Sequence, residues 1–267
     1  MTTSISETHR PARFLGLPPL LSELGLLLLL PALLASCDCL SGSDEEDGNR
    51  NDSLPELLSF MTEKSDQFIV DIELLGSGNP FLGERANGPH PGAHANWHND
   101  DVTWPAGLLP EQYPPIYAPA DGYIYRVDHK YSLGAHDRYG IDLAFAREGN
   151  RPCLLCYSIE PMCLEPSPDF YRSFILVEEG EEVQKGDIIG YMYIPTNAIA
   201  HIHFHLLVEF DDTFMAPALF AQALVDSFHA HWGIFGNDLG DPIPPCMGYM
   251  VSADENPFGT GPVDILW

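Results

Sequence analysis

The run Ala200-His201-Ile202-His203-Phe204-His205-Leu206-Leu207-Val208 alternates imidazole with hydrocarbon. Successive side chains of a strand point to opposite faces, so an extended chain puts His201, His203 and His205 on one side and Ile202, Phe204 and Leu206 on the other. A helix would scatter both sets around its circumference. The chain must therefore build a sheet with one face to bury and another that carries imidazoles. Such a row is costly to leave idle, because repulsion grows as the rings protonate, and neutral imidazole is a good ligand for zinc.

The rest of the sequence agrees with a mainly β fold. Of 267 residues, 45% are hydrophobic and 11% aromatic, enough for a buried core, while 24 prolines and 23 glycines favour short strands and turns over a helical bundle. Strand-like pieces fall at residues 116–118, 122–127, 139–144, 173–177, 188–194 and 202–210, and an antiparallel sheet or sandwich with peripheral helices follows. Helical spacing recurs over residues 54–62 and 217–232. Between them, residues 76–115 are rich in Gly, Pro, Asn and His and read as a long loop of the kind that carries sites. A formal charge of -27 excludes nucleic acid as a partner, since no surplus of cations remains to neutralise phosphates.

At the N-terminus, Arg10 and Arg13 precede an apolar run over residues 25–35, too short for the ~20 residues that span a bilayer core. The run ends in Leu34-Ala35-Ser36-Cys37, which resembles the lipobox of bacterial lipoproteins, in which the cysteine is acylated. An acidic, Ser- and Gly-rich stretch follows, too polar to order itself. The expected organisation is a signal peptide over residues 1–37, a disordered tether over 38–54, an N-terminal helix and loop extension over 55–90, a β domain over 91–212, and a C-terminal helix and tail over 213–267. A lipid at Cys37 would hold the folded part against a membrane at the cell envelope.

Setting Cys37 aside leaves Cys39, Cys153, Cys156, Cys163 and Cys246, an odd number for an oxidising compartment. The Cys153-x-x-Cys156 spacing with Pro-rich flanks reads as a disulfide-stapled loop.

Further segments give these histidines a context. Tyr117-Ala118-Pro119-Ala120-Asp121-Gly122, then the hairpin pattern from Val177 through Gly180, Val183 and Gly186 to Gly190, then His201-Ile202-His203-Phe204 occur in this order. The set resembles the signposts of the lysostaphin-type zinc endopeptidases, which cut peptidoglycan cross-bridges and have the duplicated hybrid motif fold. Biotinyl and lipoyl carriers share the hairpin, but neither Lys185 nor Lys130 has the hydrophobic flanks a carrier lysine needs. The resemblance implies Zn²⁺ as cofactor, His203 as a ligand, and His201 as the group that orients or deprotonates the attacking water.

The pattern is incomplete. The family takes its other ligands from an H-x-x-x-D motif, and no histidine here has an aspartate four residues later. In its place stands His94-Ala95-Asn96-Trp97-His98-Asn99-Asp100-Asp101, so the candidate ligands are His94 or His98 with Asp100 or Asp101, beside His203. A further family histidine is missing, since none lies between Leu143 and Val177; His129 or His136 could compensate from a neighbouring loop, but both read rather as surface residues. Trp97, Trp104, Tyr113 and Tyr117 suit either a substrate groove or the core. Two functions follow: an envelope-anchored, zinc-dependent hydrolase of peptidoglycan peptides, or an inactive relative that binds the wall or an envelope protein.

Overall fold

The imidazole strand sits in the interior of a sheet. The computed structural model describes residues 50–60, 63–79, 92–99, 102–165, 167, 169–196, 198–208, 211–215 and 219–230. Cys37, Cys39, Cys246, Asp100 and Asp101 lie outside the described residues. The strands are β1 (Ser77–Asn79), β2 (Ala93–His98), β3 (Pro115–Tyr117), β4 (Gly122–Ser132), β5 (Asp137–Glu148), β6 (Arg151–Glu160), β7 (Glu182–Val183), β8 (Ile188–Tyr191), β9 (Ile199–Val208) and β10 (Asp211–Met215). Two helices, α1 (Leu57–Phe60) and α2 (Gln222–His229), and three short 3-10 turns complete the described elements. The fold is mainly β.

Among the described residues, β1, β2, β9, β6, β5, β4 and β7 pair in that order, with β10 added to the end of β9, in an eight-stranded sheet. Every pairing in it is antiparallel. A separate pair, β3 with β8, joins the Tyr117 signpost to the Ile188 end of the hairpin. Gly122 opens β4 where a Cβ would overlap the Ala144 carbonyl oxygen, so only glycine lets the two backbones meet there.

One face of the sheet is the core. Ala200, Ile202, Phe204, Leu206 and Val208 of β9 lie with Ala93, Ala95 and Trp97 of β2 and with Leu155, Tyr157 and Ile159 of β6 in a single buried cluster. Phe68, Phe220 and Phe228 close over Phe204, with ring centroids 5.8, 6.4 and 6.0 Å from it. Each such ring, fully buried, contributes on the order of 1.5–3 kcal/mol.

Several sequence-based expectations are corrected. Cys153 and Cys156 do not staple a loop: both are buried in β6, a central strand, and Cys153 and Cys163 carry free thiols. The stretch around Ser173 is a 3-10 turn over Phe170–Phe174 and not a strand, because Phe170, Tyr171 and Phe174 must all reach one aromatic cluster, which a period of two forbids. The presumed loop of residues 76–115 contains β1 and β2, and through β1 the sheet begins before residue 91. Trp97 and Tyr113 are core residues, and Trp104 packs against the core.

Candidate functional site

The other face of the same sheet is polar, and strand register decides which groups meet there. In β2 against β9, His94 lies opposite His203 and Asn96 opposite His201. In β6 against β9, Cys156, Ser158 and Glu160 lie opposite His205, His203 and His201. Directly paired residues share a face, so the alternation that buries the hydrocarbons assembles these groups on the opposite side. Much of this face is shielded: His94, Asn96, Ser158, Glu160 and His205 are all buried.

Two arrangements of histidine result. In the first, His94 Nε2 lies 3.1 Å from His203 Nδ1, and His203 Nε2 lies 3.1 Å from His205 Nδ1. Neutral imidazole has one donor and one acceptor nitrogen, so a consistent set of tautomers satisfies both links. Gly92, just before β2, makes room for this: a Cβ there would overlap the His203 ring.

In the second arrangement the rings are held by charge. Glu160 Oε2 accepts from His136 Nε2 at 2.9 Å and lies 3.3 Å from His201 Nε2, while Glu160 Oε1 accepts from Ser158 Oγ at 2.9 Å. Arg138 Nη1 donates to Ser158 Oγ at 3.2 Å, and its guanidinium lies 3.6 Å from the Tyr131 ring centre. Burial alone would raise the Glu160 carboxyl, but the hydrogen bond and charge of His201, together with the hydrogen bonds of His136 and Ser158, outweigh it and hold the group down at about 2. His136 is thus no surface residue; its side chain is 14% exposed and committed to Glu160. His201 also stacks on His94, with ring centres 4.5 Å apart.

His98 shares the face of His94 but lies opposite Ile199, four residues along the strand, or roughly 13 Å at the usual rise. Burial lowers its pKa. Of the candidates for an ion shared with His203, the described geometry brings His94 close and leaves His98 apart.

The fit of this face to zinc is partial. Two imidazole nitrogens on one tetrahedral zinc stand roughly 3.3 Å apart, given bonds of ~2.0–2.1 Å, so the His94–His203 separation of 3.1 Å suits a chelating pair. Among the described residues, however, no group of three or more His, Cys, Asp or Glu side chains is set to hold a metal. The remaining candidate ligands, Asp100 and Asp101, lie outside the described residues.

Sequence reasoning overlooked Glu160, Ser158 and Arg138. The signal was present in β6, where Leu155, Tyr157 and Ile159 alternate with Cys156, Ser158 and Glu160, but the Cys-x-x-Cys spacing drew the reading toward a loop.

No protein-family model matches the chain, and no curated protein matches it by sequence. Among solved structures it is similar to lysostaphin, at 17% identity over 74% of this chain and 64% of that one, with a TM-score of 0.35. A Pseudomonas aeruginosa protein named for the M23 peptidases is similar at 16% identity over 58% and 48% of the two chains, with a TM-score of 0.27. The chain spans less than two thirds of the length of either structure.

Proposed function

We propose that this chain is a zinc-dependent hydrolase of peptidoglycan cross-link peptides, held at the bacterial envelope by a lipid on Cys37. The observation that supports the reading is the side-by-side placement of two imidazoles in close contact, His94 and His203, and an imidazole beside a carboxylate, His201. His94 and His203 would hold the metal, with Asp100 or Asp101 as the third ligand. Zinc, when bound, supplies Lewis acidity toward a peptide carbonyl and toward water. His201 takes up a proton from the attacking water and returns it to the leaving amine. Glu160 steadies the charge that His201 then carries. The core face beneath keeps these groups on a rigid support.

One observation favours the second reading, a module that binds the wall or an envelope protein without cutting: among the described residues no group of three or more His, Cys, Asp or Glu side chains is set to hold a metal. The two readings separate on one preparation. The hydrolase reading expects about one equivalent of zinc in the purified full chain, marked loss in His203→Ala, and release of new amines from cross-linked wall peptides at neutral pH. Wall peptides left intact by zinc-loaded protein would leave the binding module standing. Separately, the anchor predicts that Cys37→Ser releases the protein from the membrane fraction.

A further inference from the structure

A buried carboxylate between two imidazoles needs an explanation. An unpaired charge in this position would cost several kcal/mol, and here the carboxylate is flanked by polar groups from three parts of the chain. His201 comes from β9, His136 from the turn that enters β5, and Ser158 from β6 itself. That turn is fixed, since the His136 carbonyl accepts from the Leu133 N–H at 2.8 Å, and the next residue, Asp137, holds Lys130 at 3.0 Å. Ser158 is set in turn by Arg138. The carboxylate is therefore held by its surroundings before any ligand arrives.

An ionised carboxylate can only accept, so the ring nitrogens facing it must carry protons. From this we infer that Glu160, braced by His136 and Ser158, is a positioning residue that fixes His201 as the Nε2–H tautomer and leaves Nδ1 as its basic nitrogen. An uncommitted imidazole divides between two tautomers and rotates; this one has a single orientation and a single lone pair to offer. The task given to that lone pair rests on the hydrolase reading above, whereas the fixed tautomer does not.

Two measurements separate these layers. The first is ¹⁵N spectroscopy of the histidine rings in the full chain, with the His201 signals identified by their loss in His201→Gln. Wild type is expected to show His201 with the proton on Nε2. Glu160→Gln, which keeps the shape but can also donate, is expected to redistribute the proton between the two ring nitrogens, and Ser158→Ala to do so in part. A wild-type His201 protonated on Nδ1, or one unchanged in Glu160→Gln, overturns the inference. Circular dichroism verifies that the variants fold, and Ser158→Ala carries the test alone if Glu160→Gln does not. The second measurement applies where wall peptides are cleaved: Glu160→Gln is expected to lower kcat about 10–100-fold with KM nearly unchanged. Equal turnover in both proteins would overturn the positioning role. Absence of cleavage in wild type would sink the hydrolase reading and leave the ring-nitrogen result as it stands.

Discussion

Five imidazoles at this face of the sheet fall into two groups by the contacts they make. His94, His203 and His205 are linked ring to ring by nitrogen–nitrogen contacts of 3.1 Å. His201 and His136 are instead tied to one carboxylate, which is itself fixed by Ser158. Neutral hydrogen bonds are exchanged at little net cost, while bonds to a charged acceptor are roughly twice as strong. The contacts to the carboxylate are therefore the stronger of the two kinds.

The contrast can be broken from below, from within and from outside. From below, Phe204→Ala removes the ring gripped by Phe68, Phe220 and Phe228 and should cost about 3–5 kcal/mol in urea unfolding. Both groups should be lost together.

From within, the charged group has a pH signature. The Glu160 carboxyl titrates at about 2 in the fold against 4.5 as an ordinary side chain, so its contribution is complete above the upper value and disappears as pH falls through the lower one. By linkage the gap corresponds to about 3 kcal/mol. Stability measured by urea at a series of pH values should fall more steeply below pH ~4.5 in wild type than in Glu160→Gln, the two curves converging toward pH ~2. Parallel curves would show that the carboxylate is not held as described.

The ring-linked group should respond differently. His205→Ala removes a buried hydrogen-bond partner of His203 and should cost about 1–3 kcal/mol in urea unfolding. The smallest effects belong to positions remote from both groups. Burial pushes the Cys153 thiol up to about 12, so thiol reagents at neutral pH should label it only as fast as the fold opens. Breaking the exposed Lys185–Asp66 pair by Lys185→Gln should leave the unfolding midpoint unchanged.

The legibility of these regions from sequence varied with how many constraints coincided. In β9 the alternation of His with Ile, Phe and Leu is unbroken from Ala200 to Leu206, so strand, buried face and imidazole face all follow from one pattern. Its neighbour β6 has the same parity, yet Pro152 and two cysteines at loop-like spacing disguise it. Glu160 was lost with it, because a glutamate in an acidic chain has no reason to stand out until register sets it opposite His201. His136 could not be tied to Glu160 from local sequence, since the pairing of β5 with β6 is what brings the two together. The pairing of His94 with His203 is equally non-local, a matter of β2 lying antiparallel to β9.

The absent side chain at Gly92 sets a particular vulnerability. A methyl group there would displace the His203 ring while every histidine, aspartate and glutamate of the face stayed in the sequence. Gly92→Ala would thus separate possession of the reactive groups from their alignment, and an inventory of residues would miss such a lesion entirely.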